Sequence, residues 1–309
     1  MIKNSVIRYL MKLRESKIQF NIEDGAKFQE LFNHPEYINL DNSSQIAWGL
    51  IWARSLYQNE SKNSIFESYL DTNELLVYCQ GSMVLDIGCY LGGKTISWYE
   101  KYNVSEIHGI DTDLRFINIA NSFANERGAN AHFKVNYAEA LDFPDNFFDV
   151  IITENTFEHV QDIRKVLKEC RRVLKKDGII LLRFPSFWNP SGHHLDLVTN
   201  TPCIHWFFKY PSLLGAYFSI LEERGEEAKW YTRQNKNPLP YEKGYSINGT
   251  GSRMFHKLIK DDWKIILDGF KQRDKKMGTS NYLLKKNCKK ISCSYFQRVI
   301  PNIICTSEA

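Results

Sequence analysis

Met83-Val84-Leu85-Asp86-Ile87-Gly88-Cys89-Tyr90-Leu91-Gly92-Gly93 is the stretch that decides the fold. Met83–Ile87 is short, apolar and rich in β-formers, so it reads as a buried strand. Gly88–Gly93 then carries three glycines in six residues, which allow a tight bend and a close backbone approach to a ligand. Lys94–Tyr102 reads as a helix. A strand, a glycine turn and a helix in that order open a strand–helix–strand unit.

The same alternation continues downstream. Glu106–Ile110 reads as a second strand, and Leu114–Arg127 as a helix stopped at Gly128. Ala131–Val135 and Phe147–Thr153 read as strands three and four. Ile163, Val166, Leu167, Cys170, Val173 and Leu174 share one helical face, and Lys175-Lys176-Asp177-Gly178 offers cations and a left-handed glycine cap to end that helix. Gly178–Phe184 is a fifth strand, Trp263–Asp268 a sixth after a helix at Ser252–Asp262, and Ser294–Cys305 a closing strand. Repeated units of this length require parallel pairing with right-handed crossovers. The expected fold is α/β: a Rossmann-like, doubly wound, seven-stranded sheet with N-terminal helices and a long insertion after strand five. Its expected parts are a helical segment or cap over 1–80, a core over 81–186, an insertion over 187–251, and a completion of the sheet over 252–309.

Composition bounds what such a chain does. Of 309 residues, 43% are apolar and 25% charged, as in ordinary globular proteins, so wholesale disorder is excluded. No apolar run approaches the roughly 20 residues of a membrane span. The start, MIKNSVIRYLMKLRESK, lacks the apolar region of a secretory signal. Cys79, Cys89, Cys170, Cys203, Cys288, Cys293 and Cys305 are odd in number and form no C-x-x-C pair, which points away from a disulfide frame and toward a reducing, cytoplasmic setting. Net charge is only +4. Within the first helix, Ile2, Val6, Leu10 and Leu13 oppose Lys3, Arg8, Lys12 and Arg14, a pattern for packing on the body or on a partner, with peripheral membrane contact as the other reading.

In a doubly wound sheet, ligands bind beyond the carboxyl ends of the strands, where the strand order switches. The residues there are Asp86-Ile87-Gly88-Cys89 after strand one, Asp111 after strand two, Asn136-Tyr137-Ala138-Glu139 after strand three, and Thr153-Glu154-Asn155-Thr156-Phe157-Glu158-His159 after strand four. An acid in the place of Asp111 accepts the hydroxyls of a ribose; it also suits the N-cap of the next helix.

These segments (VLDIGCYLGGKT, IHGIDTD, NYAEALDF, FDVIITENTFEHV and LKECRRVLKKDGIILLRFPS) resemble the successive motifs of class I S-adenosylmethionine-dependent methyltransferases, and most closely the small-molecule type 11-like subgroup. The resemblance covers roughly 83–186 and implies S-adenosyl-L-methionine as cofactor. It implies that Asp86 and Gly88 lie beside the methionine portion, with Cys89, Gly92 and Gly93 in the loop under it. It further implies ribose on Asp111 and Thr112, adenine against the Ala138 N–H with Glu139 alongside, and Glu154 at the amino-acid end. Tyr90 stands where the family has Gly, so a negative φ is expected there, or a different loop. Tyr137 stands where the family has an adenine-binding Asp.

A sulfonium methyl is already electrophilic, so alignment provides much of the catalysis. An alcohol acceptor must still lose its proton, and histidine suits that role near neutral pH. His159 and His194 are the candidate bases, and Asp196 a candidate orienter. A metal site from His193, His194 and Asp196 is disfavoured, because adjacent side chains of an extended chain point opposite ways. The insertion over 187–251 is rich in aromatics, among them Phe187, Trp188, Trp206, Phe207, Phe208, Tyr210, Tyr217, Phe218, Trp230, Tyr231, Tyr241 and Tyr245. It reads as an acceptor cap or as a small satellite core, with Asn42–Tyr57 closing the site from the other side. The expected activity is methyl transfer to a small-molecule or sugar/glycan hydroxyl. The alternatives are a nucleic-acid methyltransferase, prompted by the nine Lys/Arg between Lys271 and Arg298, and a non-catalytic binding protein of the same fold. Nucleic acid is the less favoured partner, because Glu154-Asn155-Thr156-Phe157 stands where base methylases carry Asn-Pro-Pro-aromatic. The sequence leaves the oligomeric state open.

Overall fold

The computed structural model describes residues 2–16, 32, 35–68, 70–192, 194–195, 198–224, 247–268 and 279–286. The described residues before the first strand form helices α1 (Ile2–Leu13), α2 (Pro35–Ile38), α3 (Asn42–Lys62) and α4 (Thr72–Cys79). There follow β1 (Met83–Ile87), α5 (Gly93–Lys101), β2 (Glu106–Asp111), α6 (Leu114–Arg127), β3 (Ala131–Val135), β4 (Phe148–Glu154), α7 (Ile163–Val173) and β5 (Leu174–Pro185). The remainder comprises α8 (Ile204–Phe207), α9 (Tyr210–Glu223), α10 (Ser252–Ile259), β6 (Trp263–Asp268) and β7 (Thr279–Lys286).

The sheet order is β3-β2-β1-β4-β5-β7-β6. Strands β1 to β5 pair in parallel, and β7 runs antiparallel to both β5 and β6. The order reverses between β1 and β4, so the crevice beyond their carboxyl ends is where a ligand belongs. β7 occupies part of the stretch whose cations prompted the nucleic-acid reading. The closing strand expected at Ser294–Cys305 lies outside the described residues.

Alternation along the strands makes two cores. On one face Leu85, Ile87, Ile151 and Ile180 pack with Val166 and Cys170 of α7 and Phe255 and Ile259 of α10. On the other, Val84, Ile107, Val150 and Leu181 pack with Leu75 and Cys79 of α4 and Trp98 of α5. Each fully buried aliphatic chain contributes roughly 1.5–3 kcal/mol. Local signals start and stop the helices. Asp71 and Glu74 form a reciprocal capping box on α4, and Gly128 ends α6 in the left-handed region.

Two expectations are corrected. Helix α7 does not run on to a left-handed cap at Gly178. It stops at Val173, and β5 begins at once, with Leu174 in register with Phe148. A Cβ on Gly178 would stand 3.0 Å from the Asp149 carbonyl oxygen, so this glycine lets β5 approach β4. In α1 the buried residues are Ile7 and Met11, while Val6 and Leu13 face outward.

Ile7 and Met11 pack with Leu195, Val198, Leu213 and Tyr217 in a third core. Helix α1 is tied to the insertion by hydrogen bonds from Thr199 Oγ1 to the Met11 carbonyl (2.8 Å) and from Thr201 Oγ1 to that of Leu10 (2.9 Å). Ion pairs from Arg8 and Lys12 to Glu223 of α9 add to these. A fourth core joins α3, α5 and α6. Helix α3 lies across those two helices, with Arg54 bonded to Glu126 of α6. Trp48 packs against both the third and fourth cores.

Candidate functional site

The bend after β1 is held by the neighbouring strand: the Gly88 and Cys89 N–H groups both donate to the Ile110 carbonyl, at 2.8 and 3.0 Å. Gly88 has φ +83° and Gly92 φ +75°. The space each glycine leaves is taken by protein. A Cβ on Gly88 would stand 2.1 Å from Thr156 Oγ1, on Gly92 2.8 Å from the Ala120 Cβ, and on Gly93 2.2 Å from the Ala53 carbonyl oxygen. The glycines therefore bring the bend against the loop after β4 and against helices α6 and α3.

Tyr90 does take a positive φ, +50°, against the expectation. Two contacts offset the strain of a non-glycine residue there. Its ring packs edge-on against Phe116 (4.6 Å) and Phe32 (5.9 Å), and its N–H donates to Asp111 Oδ2 at 3.1 Å.

Asp111 accepts the Asp113 N–H on its other oxygen, also at 3.1 Å. Burial pushes its pKa up, opposed by the backbone N–H groups of Asp113, Tyr90 and Thr112. The carboxylate is an acceptor, the type of group that suits the donating hydroxyls of a ribose. The N-cap of α6 is Asp113, whose side chain accepts the Arg115 N–H, so Asp111 is spared that duty. Thr112 lies in the bend between the two acids.

At the ends of β1, β4 and β5 stands a chain of charges. Glu154 accepts from Lys94 Nζ and from Arg183 Nη1, each at 2.6 Å. Asp86 is buried and accepts from Thr95 Oγ1 at 2.5 Å; burial raises its pKa to about 7, against the pull of Thr95 and Lys94. After β3, Ala138 is buried and Tyr137 exposed, while Glu139 accepts the Gln161 N–H at 2.7 Å and so ties this segment to the loop before α7.

The loop after β4 brings two predicted residues together. The rings of His159 and His194 stand 5.5 Å apart, tilted by 48°. The His159 N–H donates to the Thr156 carbonyl, and His194 takes φ +50°. Asp196 and His193 lie outside the described residues. Among the described residues no group of three or more His, Cys, Asp or Glu side chains is arranged to hold a metal ion.

Three residues here escaped sequence reading. Glu158 is 2% exposed, with one carboxylate oxygen 3.8 Å from His159 Nε2; burial pushes its pKa to about 8, Arg183 draws it down and Glu154 raises it. Arg183 sits inside β5, where a strand pattern gives no hint of a charge. Asn248 donates its side-chain amide to the carbonyls of Phe157 (2.6 Å) and Val160 (2.9 Å). Only the Glu158–His159 adjacency offered a signal. In the insertion, Tyr217, Phe218, Phe208 and Tyr210 pack in or on the third core, while Trp188 (60%) and Phe207 (77%) are exposed. Trp230, Tyr231, Tyr241 and Tyr245 lie outside the described residues.

Comparison with known proteins bears on this arrangement. The methyltransferase domain family profile matches residues 85–182. The uncharacterized methyltransferase YcgJ of Bacillus subtilis is 41% identical over 100 residues, 32% of this chain and 39% of that protein. Phosphoethanolamine N-methyltransferase 1 of Arabidopsis thaliana is 33% identical over 201 residues, 62% of this chain and 39% of that protein. The ubiquinone biosynthesis O-methyltransferase of Cereibacter sphaeroides is 33% identical over 130 residues, 42% of this chain and 51% of that protein. The chain thus spans about half or less of these relatives' own lengths.

Proposed function

We propose, from the premise that residues 85–182 are a class I S-adenosylmethionine-dependent methyltransferase domain, that the whole chain transfers a methyl group to a hydroxyl of a small molecule or glycan. The observation that carries this is the convergence, at the β1/β4 switch, of the Asp111 carboxylate with the Gly88 bend, and of His159 with His194 beyond β4. S-adenosylmethionine supplies an electrophilic methyl when bound. In this reading Asp111 and Thr112 hold the ribose, Ala138 and Glu139 flank the adenine, and Asp86, Gly88, Cys89, Gly92, Gly93 and Glu154 surround the methionine end. Glu154 is held between Lys94 and Arg183, one on each carboxylate oxygen, and so has a fixed orientation at the amino-acid end. His159 or His194 takes the acceptor's proton, with Asp196 as its orienter.

The acceptor side, in the same reading, is a cap built from two distant stretches, α1 and the insertion, which share one core. Among the described residues of the insertion, Trp188, Trp206 and Phe207 are exposed aromatics and suit a sugar ring or an apolar acceptor. The relatives bear names of both N- and O-methyltransferases, so hydroxyl over amine rests on the histidine pair. A nucleic-acid acceptor is the second reading, resting on the basic stretch between Lys271 and Arg298; Asn155-Thr156-Phe157 lacks the prolines expected of a base methylase. A non-catalytic role is the third reading, prompted by Tyr90 and Tyr137; the accommodated Tyr90 ring and the Tyr90 N–H on Asp111 weigh against it.

Calorimetry with S-adenosylhomocysteine tests the cofactor half. Binding well below 1 mM is expected, weakened by about tenfold or more in Asp111→Asn; no heat at about 1 mM would sink the assignment. For the acceptor half, methyl-labelled cofactor is incubated with cell extract and the product identified by mass spectrometry. Label on nitrogen or nucleic acid instead of oxygen would reject the hydroxyl reading.

A further inference from the structure

Asn248 directs both side-chain N–H groups and its backbone N–H to the loop that bears His159. Its side-chain N–H groups donate to the carbonyls of Phe157 and Val160, and its backbone N–H donates to that of Glu158 at 2.8 Å. Three carbonyls flanking His159 are therefore held by one residue more than 80 positions downstream. The Asn248 Oδ1 accepts the Thr250 N–H (3.0 Å), and the Thr250 carbonyl accepts the Phe187 N–H (3.0 Å). Gly251 presses on Trp188: a Cβ there would stand 2.4 Å from the Trp188 ring. A continuous chain of contacts thus runs from the exposed Trp188, through Phe187, Thr250 and Asn248, to the loop bearing His159. A primary amide offers two donors, here to two carbonyls, and an acceptor beside them.

We propose that Asn248 is the positioning residue that places His159 for proton abstraction, and that it couples the end of the aromatic insertion to that base. This rests on the reading of His159 as the base. Asn248 touches no reacting atom in this scheme; it acts by fixing the backbone on both sides of the ring. A displacement of about 1 Å in a positioned group costs on the order of 100-fold in rate.

Asn248→Asp keeps the shape but turns acceptors toward the Phe157 and Val160 carbonyls, and Asn248→Ala removes the side chain; whichever of the two folds serves. Turnover is read as label transferred from S-adenosylmethionine to cell extract, and cofactor affinity by calorimetry with S-adenosylhomocysteine. The expected result is an about 100-fold loss of turnover with cofactor affinity changed by less than about threefold. Combining the variant with His159→Ala should cost nothing beyond His159→Ala alone, because a base that is absent has no position to lose. A purely structural role predicts multiplied losses in the double variant, and that result, or full turnover in the Asn248 variants, overturns the proposal. If His159→Ala alone keeps full turnover, the base assignment falls and this proposal with it; an impaired His159→Ala with multiplied losses removes the positioning role alone.

Discussion

Glu158 is a carboxyl group placed where almost no water reaches it, beside one arginine and one other carboxylate. Its pKa near 8 means that the folded chain holds a proton the unfolded chain releases near 4.5. The neutral form is thus favoured by folding. Its stabilising contribution is complete below about pH 4.5 and is lost as pH rises toward 8. Arg183 and Glu154 face it within the sheet, and His159 at the surface. Glu158→Gln stays neutral throughout. Urea unfolding of both proteins at pH 5 and pH 8 should therefore show wild type losing on the order of 3 kcal/mol relative to the variant across that range. Parallel curves would place Glu158 in contact with water. Tyr90 makes a related point: a left-handed φ in a tyrosine is tolerated because Phe32 and Phe116 hold the ring while Asp111 holds the N–H.

Helices α3 and α5 meet where α5 starts, and Gly93 is the reason they meet so closely. A methyl group at Gly93 would strike the Ala53 backbone oxygen at 2.2 Å and the Leu56 Cβ at 2.9 Å. Alanine is favoured over glycine in a helix by about 1 kcal/mol, yet a backbone atom cannot swing aside. Gly93→Ala should destabilise the chain by roughly 1–3 kcal/mol in urea unfolding. Gly215, on the exposed face of α9 with open space around it, is the contrast: Gly215→Ala should stabilise by roughly 0.5–1 kcal/mol. The reverse order would mean that α3 yields. Strands and helices from Met83 to Val173 follow local periodicity to within a residue or two. Where β5 begins was not legible, because the start at Leu174 is decided by pairing with Phe148, and pairing partners carry no local signal.

Across the molecule, α1 and the insertion share a core although about 200 residues separate Met11 from Leu213. A charge at Met11, which is fully buried, would cost several kcal/mol. Met11→Asp should therefore release the cap while leaving the sheet intact. Limited proteolysis is expected to cut within 198–224 in the variant and not in wild type. Affinity for S-adenosylhomocysteine should change by less than about threefold, since the ends of β1 and β2 lie in other cores. Loss of cofactor binding in step with cleavage would show that cap and sheet unfold as one unit.

The order of amino acids was enough for the elements between Met83 and Val173 and for the acids and glycines at their strand ends. Periodicity, capping residues and turn glycines act within a few positions, so Asp86, Gly88, Asp111 and His159 announce their places locally. What those groups touch was settled by packing. Gly93 faces Ala53, Glu158 is sealed beside Arg183, His194 meets His159, and Asn248 reaches back to Phe157 and Val160. Each of these pairs is distant along the chain, and burial and hydrogen bonding depend on neighbours that exist only once the sheet, its helices and the insertion have come together.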